Sequence, residues 1–220
     1  VPALDAALSG PEREHVYHLH ALPPLWWEMP YDEFLVARRL RMAQVVRDAW
    51  QRLTGDLNAQ PVKATSIAEL IAGGETGGVE FKSTLRTNLH TGQPDEKIHL
   101  SALKTIAGFL NAKGGTLLIG VSDNGEALGL SADGFPNEDK MQLHLVNLIK
   151  DRIGDIFLPY IHAHFEEQDG VRVLAIRCEQ GPKAAFVKEG NQQRFFVRGG
   201  NATTELAGVS ITDYAKQRFG

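Results

Sequence analysis

One short stretch dictates that a helix must stop and a strand must begin. Asn111-Ala112-Lys113-Gly114-Gly115 interrupts any helix before it, and Thr116-Leu117-Leu118-Ile119-Gly120-Val121 follows at once as a nearly unbroken apolar run. Paired glycines end helices because glycine enters left-handed backbone conformations at little cost. A short apolar run bounded by turn residues reads as a central strand. Asp123-Asn124-Gly125 then predicts a hairpin turn into residues 127–130. Helix end, buried strand and return in immediate succession call for helices packed on a sheet.

The pattern extends in both directions. Ser66 with Glu69 predicts a capping box, opening a short helix through Ile67, Leu70 and Ile71 that Gly73-Gly74 closes. A strand is expected over residues 79–85. A helix is expected over 96–111, carrying Ile98, Leu103, Ile106, Phe109 and Leu110 at helical spacing. Further on, Met141, Leu145, Leu148 and Ile149 predict a helix over 137–153, and strands are expected at 161–165 and 171–177. A hairpin across Gly190-Asn191 joins residues 184–188 to 194–198, and a last helix runs through Ile211, Tyr214 and Ala215. The fold class read from this order is α/β (α+β), a mixed β-sheet with packed helices over residues 61–220, preceded by a helical segment over residues 1–60.

In that first segment, Leu35, Met42, Val45, Val46, Ala49, Trp50 and Leu53 recur at helical spacing behind Asp32, and the polar stretch 55–64 with Pro61 reads as a linker. The chain opens at Val1 in what reads as the middle of something longer. Other domains of a larger protein are therefore expected partners.

Charge narrows the function classes. A formal net charge of −4 excludes coating nucleic acid through bulk positive charge, so any such site must be a local groove. No apolar run reaches the roughly 18 residues of a membrane span, so no membrane partner is expected. The single cysteine, Cys178, sits in an apolar run and reads as a buried thiol, which fits a reducing cytoplasm.

Three segments form a set: Glu75 with Val79-Glu80-Phe81-Lys82; the stretch from Asn111 to Val121 with Asp123; and Phe196-Val197-Arg198-Gly199-Gly200-Asn201. In this order they resemble the AlbA-type domain of the Schlafen family, often described as DNA-binding. The resemblance covers residues 62–220. Residues 22–35, with Trp26-Trp27, are similar to the tail of bacterial restriction and phage-defence proteins.

The resemblance implies a nucleic-acid-binding domain with RNA or DNA as partner. By motif position it also implies an acidic set, Glu75, Glu80 and Asp123, that would hold Mg²⁺ or Mn²⁺ for phosphodiester cleavage. Clustered carboxylates suit such hard cations, which activate water and neutralise phosphate charge. Lys82, on the same strand face as Glu80, Lys113, and Arg198 with Gly199-Gly200 are the expected nucleic-acid contacts. Each residue also has a plain structural account: Asp123 favours turn geometry, Glu75 follows two glycines in a loop, Glu80 and Lys82 fit an exposed strand face, and Gly199-Gly200 fits a turn. The other reading is a non-catalytic DNA- or RNA-binding or regulatory module. A third is a protein-interaction domain.

Other motifs are incomplete. The lysine of residues 73–83 does not follow the spaced glycine of a phosphate-binding loop, so ATP is not expected. His18 with His20 and His162 with His164 lack further ligands, so zinc is not expected. A family that pairs two such lobes around nucleic acid implies a homodimer for a chain with one copy, with Trp26-Trp27 and the C-terminal helix from Tyr214 to Phe219 as contacts.

Overall fold

The computed structural model describes residues 65–220, which form one compact unit. The expected helix over 31–53, the linker, Trp26-Trp27, His18 and His20 lie outside the described residues.

Helix α1 (Ile67–Gly73) opens with the capping box: Ser66 N–H donates to Glu69 Oε2, and Glu69 N–H to Ser66 Oγ. Strand β1 (Val79–Lys82) follows. It is shorter than expected because the chain turns away at Ser83, and β2 (Thr87–Asn88) and β3 (Gln93–Pro94) pair as a small ribbon. Helix α2 (Glu96–Asn111) is capped by Asp95, whose carboxylate accepts from Lys97 N–H. Hydrogen bonds from Asn88 and from that amide hold the Asp95 carboxyl below its ordinary range. Strand β4 (Gly115–Ile119) leads to the Asp123 turn, where only a Val121–Ala127 bridge forms in place of the expected strand over 127–130. Helix α3 (Glu138–Arg152), β5 (Ile161–Gln168), β6 (Val171–Cys178), β7 (Phe186–Glu189) and β8 (Gln192–Gly199) match their expected positions. Strand β9 (Ala202–Leu206) was not expected, and α4 (Val209–Phe219) ends the chain.

The central sheet has the order β1-β4-β6-β5, with β1 parallel to β4 and the other pairs antiparallel. It is the expected mixed sheet. A second sheet, β7-β8-β9, is wholly antiparallel. Strand alternation splits the central core. Phe81, Leu118, Val173 and Ala175 face α1, whereas Leu117, Ile119, Leu174 and Ile176 face Phe109 of α2 and Met141, Leu145 and Ile149 of α3. Full burial of each Val, Leu, Ile, Phe or Met among them contributes about 1.5–3 kcal/mol. Leu103 and Ala107 of α2 meet Phe196 and Val187 of the second sheet, so α2 is the layer shared by both sheets.

Candidate nucleic-acid interface

The Asn-x-x-Gly-Gly segment is first of all a structural joint. Asn111 is fully buried at the end of α2; its Nδ2 donates to the carbonyls of Ala185 and Phe196, and its Oδ1 accepts from Ala185 N–H. It thereby ties α2 to the second sheet. Gly114 holds φ at +85°, and a Cβ there would meet the Cys178 carbonyl oxygen at 2.5 Å. A Cβ on Gly115 would meet the Phe109 ring at 2.4 Å. Both glycines are demanded by backbone packed against backbone and ring.

Glu80, Lys82 and Arg198 come together, as an internal network. Glu80 and Lys82 leave β1 on the same face, and Lys82 Nζ lies 2.6 Å from Glu80 Oε1 while also donating to the Phe81 carbonyl. Arg198, on β8, places Nη1 2.7 Å from Glu80 Oε2, with its side chain only 2% exposed. Its Nη2 donates to the carbonyls of Thr76 and Val79, and the guanidinium stands over the Phe109 ring. The Nε atom is buried without a hydrogen-bond partner. Arg198 thus locks β8 to the approach of β1, and both its charge and that of Lys82 are met by Glu80.

The acidic set is not brought together. Glu75 Oε1 accepts from Phe81 N–H at 2.8 Å, Glu80 is committed to two cations, and Asp123 stands exposed in its turn without a bond to either. Among the described residues no three His, Cys, Asp or Glu side chains are grouped to hold a metal ion. The donor set present does not fit Mg²⁺ or Mn²⁺, for a carboxylate already paired to two cations is a poor ligand to a third.

At the end of the central sheet, where β4 begins and β6 ends, opens a cleft of about 1020 Å³. Its floor and rim are largely backbone: Gly77, Gly78, Gly114, Gly115 and Gly200 line it. Lys113, Arg177 and Arg218 face it with the inner Arg198, against the single carboxylate of Glu179. Glu179 is itself bound to His162, Nε2 to Oε1 at 3.1 Å. Arg218 donates to the Ala112 carbonyl at the end of α2. Lys113 and Arg177 are exposed and make no hydrogen bond or ion pair among the described residues. The Cys178 thiol also borders the cleft, and burial pushes its pKa up, which disfavours the thiolate.

Of the expected contacts, Lys113 and Gly200 therefore line the cleft, Arg198 forms its inner wall, Lys82 is tied elsewhere, and Gly199 ends β8 outside the lining. Sequence reading missed Arg177 and Arg218. Arg177 was visible as the charged end of an apolar strand, but nothing local placed it beside Lys113. Tyr214, expected at a dimer contact, donates to the Asn111 carbonyl and packs on Phe195, and burial raises its pKa. His162 and His164 are exposed on β5 beside Glu179 and Glu166.

Among the described residues no helix is long and apolar enough to cross a membrane. No curated protein matches the chain. Among solved structures, the DIP2311 protein of Corynebacterium diphtheriae aligns at 20% identity and TM-score 0.47 over 66% of this chain, which spans 28% of that one. The N-terminal domain of a protein described as RecG-related ATP-dependent DNA helicase from Nitrosomonas europaea aligns at 20% identity and TM-score 0.41, over 65% of this chain and 90% of that one. Residues 75–207, more than half of the chain, match the family described as Schlafen, AlbA_2, and the segment set, Asn111 joint included, falls within that span. The chain belongs to the Schlafen AlbA_2 family.

Proposed function

We propose that this domain is a nucleic-acid-binding module that holds the sugar-phosphate backbone of RNA or DNA in the glycine-lined cleft. One observation carries the reading: Lys113 and Arg177 project uncommitted charge into the same opening, whose glycine walls let a phosphate chain approach the protein backbone. Arg218 adds a third cation at the rim. A chain of net charge −4 has to bind polyanions through such a local cluster. Binding without cleavage is favoured over phosphodiester hydrolysis because Glu75, Glu80 and Asp123 are each engaged or placed apart.

Fluorescence polarisation with single- and double-stranded RNA and DNA, across a salt series, tests the reading. Binding should weaken linearly in log affinity against log salt, and Lys113→Ala or Arg177→Ala should each reduce the slope by about 0.7–0.9 per lost phosphate contact. Unchanged affinity and slope in the double variant would remove the cleft from consideration.

A further inference from the structure

We propose that His99 and His144 form a binding site for a borderline divalent transition-metal ion such as Zn²⁺, held between their two Nε2 atoms and joining α2 to α3. The site is independent of the nucleic-acid reading. His99 stands 13 residues before Ala112, roughly 20 Å along α2 from the cleft at about 1.5 Å per residue.

The two Nε2 atoms are 3.1 Å apart, with ring centroids at 5.1 Å and an interplanar angle of 38°. Two imidazoles bonded to one tetrahedral zinc at about 2.0–2.1 Å set their nitrogens roughly 3.3 Å and their ring centres roughly 5.2 Å apart. A straight N–H···N bond of the observed length would set the centres farther apart, at roughly 5.4 Å. The observed separations match those of two imidazoles bonded to one ion.

The surroundings of His99 fit this role. Glu96 Oε2 lies 3.5 Å from His99 Nδ1, and Arg152 pairs with the same carboxylate. A carboxylate on the Nδ1 side is the arrangement that orients metal-bound histidines, with Nε2 turned to the ion. The His99 side chain is 13% exposed, so an ion can reach it from solvent. Around His144 the Phe135 ring closes one side, and the charges of Arg86 and Asp133 act on it in opposite senses. No third protein ligand joins the pair among the described residues, so water fills the remaining positions and binding is weaker than at a four-ligand structural site. Imidazole donors suit zinc, copper and nickel and disfavour magnesium and calcium. Spacing rules could not reveal this site, because the two histidines lie 45 residues apart.

Zinc chloride titrated into the full chain by calorimetry, with thermal melts in parallel, tests the proposal against the six other histidines. A saturable one-to-one component should be present, accompanied by a rise in Tm. His99→Gln and His144→Gln should each abolish both. Glu96→Gln, which keeps both imidazoles, should weaken binding by roughly 10–100-fold while circular dichroism stays unchanged. Crystals soaked in zinc should show anomalous density between the two Nε2 atoms. Zinc binding equal to wild type in all three variants, or no saturable component, would overturn the proposal and leave a proton between the rings.

Discussion

Arg198 Nη1 and Glu80 Oε2 lie 2.7 Å apart, joining the second sheet to the edge strand of the first through a guanidinium removed from solvent. Arg198→Met should unfold the domain more readily, not merely weaken a ligand. It strips Glu80 of its buried partner and takes the guanidinium from the Thr76 and Val79 carbonyls, which keep only their bonds to each other's N–H. Removing one member of such a pair costs about 3–5 kcal/mol, with the lower end expected because Lys82 still faces Glu80. Urea denaturation reads the loss. A normal unfolding midpoint combined with lost nucleic-acid affinity would return Arg198 to the role of phosphate ligand.

Asn111→Ala tests the joint between helix and second sheet. It orphans the Ala185 N–H and the carbonyls of Ala185 and Phe196 in a site with no access to water. The expected loss is about 3 kcal/mol, from unsatisfied buried groups at about 1–3 kcal/mol each with partial relaxation. Chemical denaturation at constant m-value is the measurement, and a loss below about 1 kcal/mol would contradict the assignment.

Gly115→Ala should destabilise by about 1–3 kcal/mol, since the new methyl overlaps the Phe109 ring and the Gly78 carbonyl. The thermal midpoint reports it, and a shift within experimental error would show that the Phe109 ring can yield.

Lys82→Ala should leave nucleic-acid affinity and its salt slope unchanged, unlike Lys113→Ala, because Glu80 and the Phe81 carbonyl already hold the Lys82 ammonium. EDTA should likewise leave binding intact, because cationic side chains carry the contact. Loss of binding in either case would place the interface on the β1 face.

Asp95 gives a pH dependence. Its folded pKa lies below the ordinary 3.8, so its contribution to stability is present above that value and disappears as pH falls through the lower folded value. Comparison of urea midpoints for wild type and Asp95→Ala should show a constant gap near neutral pH that narrows below about pH 4. A gap independent of pH down to about pH 2 would show that the cap acts without its charge.

Periodicity made α2, α3, β6 and the β7–β8 hairpin legible in sequence, for each is amphipathic or apolar enough to declare its period. The capping pair Ser66 and Glu69 was legible because both partners lie within one helical turn. Strand β9 was not, since Ala202-Thr203-Thr204-Glu205-Leu206 carries little apolar signal and pairs only because β8 offers its edge. Motif residues told which positions matter and misled about how: Arg198 and Lys82 read as phosphate contacts, yet Glu80 sits between them. Asp133 passed unnoticed although its buried carboxylate accepts from the amides of Leu85, Arg86 and Thr87, a nest that no local pattern announces. The cleft itself combines Lys113 with Arg177 and Arg218, distant in sequence and adjacent only through the β4–β6 pairing and the placement of α4.

The bond from Arg198 to the Thr76 carbonyl spans 122 residues. On a ribosome adding about 5–20 residues per second, roughly 6–24 s separate the synthesis of Thr76 from that of Arg198, whose side chain clamps the first strand. During that interval Glu80 has no guanidinium, and the Phe109 ring lacks the cation that will cover it. Completion of this domain is therefore a late event in synthesis, and a polypeptide stopped before β8 leaves the earliest strand held by β4 but without its guanidinium clamp.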